Sequence, residues 1–283
     1  MSAWVFSLGV TAWCDVTTRS REGEYGAAFA RHTRVSNPIA STFGAPCALL
    51  PVIHIATLEL CVAQARSAFA EGANGVFVIS HDGDAYLTVN CAEACAAALI
   101  ADGHDRPFVG VNLLGKSATK AYDYLHERSA YDVRGVWCDS PADGAVKHAT
   151  IHGVWRALYF AGVAFKYQSQ PADIAQAAFA EMDAGADVLT TSGDGTGLAC
   201  DPEKVRAIRT AVGPRYGVAV ASGVDVQNAG GLVAAGADAL LVASSIAREL
   251  PRRQRDFYRF EPAKLRELVA VVKNCAAPSV EGA

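Results

Sequence analysis

The stretch DVLTTSGDGTGLACDPEKVRAIRTAVGPRYGVAVASG (residues 187–223) decides the fold. It opens on a short apolar run that ends in Ser192-Gly193 and closes on another that ends in Ser222-Gly223. Between them, Asp201 followed by Pro202 marks a helix start, and the apolar residues of 201–213 recur at helical spacing. The two apolar runs are continuous rather than alternating, as buried parallel strands covered on both faces require. The segment therefore reads as one strand–helix–strand unit of a parallel sheet.

Working outward, the same unit repeats. Strands are expected at 47–55, 75–80, 107–115, 133–140, 157–165, 187–193, 217–223 and 239–245. Helices are expected at 57–73 (with Thr57 as N-cap), 90–103, 117–130, 171–186, 201–213, 225–237 and 262–274, with a weaker one near 143–152. Eight strand–helix units within residues 45–275 match a single (β/α)8, or TIM, barrel. An open doubly wound sheet is the alternative, but PVIHIATLE (51–59) lacks the glycine fingerprint that would follow its first strand. Residues 1–44 read as an irregular N-terminal extension and 276–283 as a tail. The run RELPRRQRDFYR (248–259) reads as a solvated segment, and Trp137 and Trp155 as packing residues.

Composition narrows the function. Of the 283 residues, 51% are hydrophobic and 19% charged, which supports a large core. The net charge is −4 and no basic stripe is present, which argues against nucleic acid as a partner. No apolar run approaches the ~18 residues of a membrane span, so membrane insertion is not expected. The eight cysteines have no zinc-ligand spacing; Cys61, Cys91 and Cys95 fall in apolar helical patterns, as reduced thiols of a cytoplasmic protein would.

In a barrel the chemistry lies at the C-terminal strand ends, and the last loops often hold a phosphate. Here the sixth, seventh and eighth strands end in Ser192-Gly193, Ser222-Gly223 and Ser244-Ser245. Glycines allow close backbone approach and serines add donors without bulk. These residues, with Asn112, Thr191 and Gly195, form the expected phosphate and substrate site; Asp194 would face away from the anion or act chemically. The catalytic candidates are Lys166, His54 and Asp139, with Asp82 and Asp84 as helpers. Lys166 directly follows an apolar strand, where burial would favour a neutral nucleophilic amine; pairing with Asp139 or a phosphate is the alternative. His54 suits acid–base work. His81, Asp82, Asp84 and Asp139 are a loose candidate set for a divalent metal, though no cofactor is required by the sequence.

FGAPCALLPVIHI (43–55), GVFVISHDGD (75–84) and the segments TSGDGTGLACDPEKVRAIRTAV, VAVASGVDVQN and ADALLVASSIA (within 191–247) resemble the BtpA family. The likeness spans about residues 43–247 and is strongest after 187, with ALYFAGVAFKYQ (157–168) looking like a divergent branch. It implies a (β/α)8 barrel. Members are linked to photosystem I biogenesis, and relatives often carry the label phosphoribosylanthranilate isomerase. That isomerase would carry cysteine at the end of its first strand and aspartate at its fifth; this chain has His54 and Lys166. The sequence thus points to a barrel enzyme acting on a small phosphorylated metabolite, a sugar phosphate or nucleotide. Isomerase, lyase and glycosyl or phosphoribosyl transfer chemistry all remain open. The alternative is a non-catalytic assembly or regulatory factor that keeps a phosphate-binding barrel. Self-association into a homo-oligomer is compatible with either reading.

Overall fold

The structure, a computed structural model, describes residues 36–146, 157–250 and 254–276. Eight parallel strands close into a barrel in sequence order. They are β1 (Ala48–His54), β2 (Val76–Ile79), β3 (Val109–Asn112), β4 (Gly135–Cys138), β5 (Leu158–Gly162), β6 (Val188–Thr191), β7 (Gly217–Ala221) and β8 (Ala239–Val242). Closure comes from β1 pairing with β8, with Ala48 opposite Ala239 and Pro51 opposite Val242. The described helices between strands are α2 (Leu58–Ala70), α3 (Ala85–Ala101), α4 (Ala118–Glu127), α5 (Ile174–Asp183), α6 (Pro202–Val212) and α7 (Ala229–Ala234). The chain ends its fold with α8 (Pro262–Ala276). The short helix expected near 143–152 lies mostly outside the described residues, as do Trp155 and residues 1–35.

Side-chain alternation divides the core in two. Leu50, Val52, Phe77, Trp137, Phe160, Val188, Ala219 and Leu241 fill the barrel interior. Leu49, Ile53, Val78, Val136, Leu189, Val218 and Leu240 face outward against the helices. The N-caps of α2 and α6 are the expected ones: Thr57 accepts from the Leu60 N–H and Asp201 from the Glu203 N–H. Trp137 does serve packing, with its ring 6.0 Å from those of Phe77 and Phe165.

Two sequence expectations need correction. Residues 38–43 do not belong to an irregular extension: they form α1 (Pro38–Phe43), capped by the Asn37 side chain and ended by left-handed Gly44. Its Ile39 is fully buried in the interior cluster, so α1 plugs the barrel where the strands begin. The second needs only refining: in 248–259, Arg248, Glu249, Phe257, Tyr258 and Arg259 are exposed as expected, but the segment is not irregular. Most of it pairs as an antiparallel hairpin, β9 (Ala247–Leu250) with β10 (Gln254–Phe260). Buried Phe260 anchors the hairpin, and its N–H donates to Gln64 on α2.

Candidate active site at the barrel mouth

Parity along each strand decides which side chains reach the mouth. Val52 points inward, so His54 does too; Trp137 points inward, and Asp139 follows on the same face. A Cβ on Gly110 would strike the Phe77 ring, which places Gly110 and Asn112 on the inner face of β3. The Asn112 Nδ2 donates to Asp139 Oδ1 at 3.0 Å. Burial pushes the Asp139 carboxyl above its ordinary range, opposed by that hydrogen bond and by the Lys166 charge. His54 hydrogen-bonds His81 through Nδ1 and Nε2, and the two rings stack with centroids 4.6 Å apart. Burial holds His54 down at about 4, helped by the positive charges of His81 and Lys166, so the imidazole is neutral near pH 7. The Lys166 charge thus bears on both Asp139 and His54 from across the mouth, without an ion pair to Asp139.

The Lys166 turn is held by a residue with no sequence signal. Gln168 Nε2 donates to the carbonyls of Asp139 (2.5 Å) and Gly162 (3.1 Å), while its Oε1 accepts from the Phe165 N–H (3.0 Å). One amide thus ties the end of β4 to the end of β5. Ala164 and Tyr167, on either side of this turn, have φ of 46° and 67°, a conformation that non-glycine residues rarely adopt. Such backbone strain collects at functional sites. The Lys166 ammonium lies 5.7 Å from the Phe165 ring centroid and 6.0 Å from that of Tyr167.

The strand tips divide into scaffold and cleft. Ser192 is fully buried; its hydroxyl accepts from the Lys166 N–H and donates to the Gly193 carbonyl, so it holds the loop rather than a ligand. Gly193 is likewise committed, since a Cβ there would lie 2.4 Å from the Leu198 carbonyl oxygen. Thr191 shares the outward face of Leu189 and does not reach the mouth; Thr190 is the inward residue, and its buried hydroxyl has no partner. Ser222 accepts from the Gly197 N–H and so clamps the Gly195-containing loop to β7. Asp84 is the N-cap of α3, accepting from the Leu87 N–H, and is spent there rather than on chemistry. Asp82 and His81 are exposed, and among the described residues no group of three or more His, Cys, Asp or Glu is placed to hold a metal ion.

Between the tips of β7 and β8 lies a cleft of roughly 370 Å³, lined by Gly223, Val224, Ser244, Ser245 and Lys264 among others. The Ser245 hydroxyl is buried without a hydrogen-bond partner. The N–H groups of Gly223, Val224 and Ser245 donate to no protein acceptor among the described residues. The buried Ser245 hydroxyl and these three N–H groups, on half-buried Gly223 and Ser245 and buried Val224, are thus available to an acceptor in the cleft. Three acidic residues, Asp225, Glu249 and Glu267, also line the cleft. Asp225 accepts from the N–H groups of Gln227 and Asn228, and Glu249 pairs with Lys264 at 2.7 Å; Glu267 stands exposed at the outer wall.

A closed eight-stranded parallel barrel with its polar constellation at the C-terminal strand ends defines a (β/α)8 protein. Solved structures share this fold. Thiamine phosphate pyrophosphorylase from Pyrococcus furiosus superposes with a TM-score of 0.57 at 17% identity, covering 81% of this chain and 96% of that one. (S)-3-O-geranylgeranylglyceryl phosphate synthase from Thermoplasma acidophilum, in complex with sn-glycerol-1-phosphate, gives 0.53 at 15% identity over 86% of this chain and 100% of that one. Phosphoribosyl anthranilate isomerase from Thermus thermophilus gives 0.53 at 16%, covering 80% and 98%. At such identities the likeness speaks for the fold alone. No protein-family model and no curated protein matches the chain. No described helix is long and apolar enough to cross a membrane.

Proposed function

We propose that this chain is a cytoplasmic barrel enzyme acting on a small phosphorylated metabolite. The observation that carries the reading is the cleft between β7 and β8, where the Ser245 hydroxyl and three backbone N–H groups are left without protein acceptors. Fixed amide and hydroxyl donors suit a phosphoryl group, and Lys264, which pairs with Glu249 in the free cleft, would exchange that partner for the anion. Asp139, Lys166 and His54 would then act on the rest of the substrate. A carboxyl raised by burial, within the field of an ammonium, offers a proton acceptor and a charge stabiliser at the same mouth. Neutral His54, bonded to His81, can pass a proton without carrying a standing charge. This chemistry serves isomerisation, carbon–carbon lysis or transfer at a phosphorylated sugar. Barrels named for phosphate esters share the fold, and membership of the BtpA family belongs to the same proposal.

The test is a thermal-shift screen against inorganic phosphate, sugar phosphates and nucleotides. A ligand at ~100 times its Kd that binds only the folded state adds about 2.7 kcal/mol. Ser245→Ala removes one donor to a charged group, and its ligand should bind about tenfold or more weakly. Lys166→Met should keep the ligand and stop its conversion. Conversion that survives Lys166→Met would leave a phosphate-binding barrel with a different catalytic group. The absence of any phosphorylated ligand would overturn the reading.

A further inference from the structure

The hairpin β9–β10 interrupts the usual passage from the eighth strand to the last helix, and it sits where two sites meet. Glu249 on β9 lines the β7–β8 cleft. Phe257 on β10 lies against His54 at the end of β1, with ring centroids 6.1 Å apart and planes tilted by 46°. Because β8 and β1 are paired neighbours, one hairpin walls both the donor cleft and the His54–His81 stack. Phe257 is nevertheless 44% exposed, and Tyr167, beside Lys166, is 81% exposed, with its hydroxyl bonded to Thr196. His81, His54 and Phe257 therefore form a succession of three rings joined by two contacts, ending in a partly exposed aromatic side chain. Phosphate and sugar need no such face; a planar ring does, because stacking on an aromatic side chain accepts any base.

We infer that the substrate is a phosphate ester bearing a planar heteroaromatic ring, of the nucleoside monophosphate class, with its ring stacked on Phe257 and its phosphate in the β7–β8 cleft. The inference rests on the phosphate reading above and adds the ring-binding subsite.

The experiment measures equilibrium binding of adenosine 5′-monophosphate, uridine 5′-monophosphate and ribose 5-phosphate to the full chain. One of the nucleotides should bind about tenfold or more tightly than ribose 5-phosphate, the range that one base-stacking contact supplies. Phe257→Ala should bring that nucleotide to the level of ribose 5-phosphate. Phe257→Leu, which keeps an apolar side chain on the hairpin but no ring, should lose most of the advantage, and Phe257→Tyr should retain it. Equal affinity for nucleotides and ribose 5-phosphate in the wild type overturns the inference and leaves the phosphate reading standing. An advantage that persists in Phe257→Ala overturns it too. A concentration-dependent dimer abolished by Phe257→Ala would show the ring covering a second copy of the chain, and would also overturn it. Failure of all three compounds to bind overturns the inference, and the thermal-shift screen above then decides the phosphate reading separately.

Discussion

Gly223 offers the most direct test of how the mouth is built. It has φ of +68°, and a Cβ placed on it would lie 2.0 Å from the Leu198 carbonyl oxygen and 2.4 Å from its carbon. Both atoms are backbone, so neither can swing aside like the end of a side chain. Gly223→Ala therefore carries two costs. The left-handed conformation costs an L-residue about 1–2 kcal/mol. Relieving the overlap by moving the loop costs about 1–3 kcal/mol more. A total loss of roughly 2–5 kcal/mol should lower the melting temperature by about 5–15 °C in a chain of this size. The matched control is Gly231, within α7, where a Cβ would meet nothing within 4 Å. Gly231→Ala should raise stability by about 0.5–1 kcal/mol, because alanine loses less backbone freedom in a helix. Thermal melts at one scan rate compare the three proteins. Phosphate-ester binding should fall in Gly223→Ala and hold in Gly231→Ala. A Gly223→Ala protein that melts within 1 °C of the wild type would refute the close packing of the β6 and β7 loops on which the cleft depends.

Other outcomes follow from individual contacts. His54 in the folded chain takes a proton only near pH 4, whereas in the unfolded chain it does so near 6.5, so its stabilising contribution is present above 6.5 and lost as pH falls toward 4. That difference is worth about 3 kcal/mol, and denaturant midpoints at pH 7 and 4.5 should diverge less in His54→Gln than in the wild type. At the opposite end of the barrel, Asp238 pairs with Arg209 and accepts from the Val218 N–H and Asn37 Nδ2. Asp238→Ala should cost about 3–5 kcal/mol by leaving the half-buried Arg209 without its counter-charge, and a double mutant with Arg209→Ala should cost less than the two single losses added, as a denaturation cycle would show. Gln168→Leu should leave the barrel closed but loosen both Asp139 and Lys166. Circular dichroism should be unchanged while the pH dependence of any turnover shifts. An unaltered pH profile in that variant would reduce Gln168 to a loop-packing residue.

Much of this was legible in the sequence because strand and helix patterns are local. The eight strands fall within the expected ranges, since a continuous apolar run such as ALLPVIH is what a parallel strand covered on both faces requires. The constellation of His54, Asn112, Asp139 and Lys166 was likewise readable from strand ends. The misses have a common origin in contacts distant along the chain or in a one-residue parity. Thr190 and Thr191 are alike in sequence, and only the register against β5 and β7 shows which one faces inward. Ser192 and Gly193 looked like ligand groups because their partners, the Lys166 N–H and the Leu198 carbonyl, are supplied by tertiary packing. Asp84 did carry a readable signal: an aspartate three residues before Leu87 at a helix start is an N-cap. Gln168 carried none, because its three partners lie on two strands and a turn.

The seam between β1 and β8 also constrains how the chain is made. β1 begins at Ala48, yet its second neighbour, starting at Ala239, leaves the ribosome only after seven strands have been synthesised. Until then the nascent sheet has two open edges, each a row of unsatisfied backbone groups able to pair with another chain. The β9–β10 hairpin and α8 come later still, and they pack beside that seam, against β1 and α2. A truncation after Val242 would thus complete every strand of the barrel while leaving its last-formed joint uncovered.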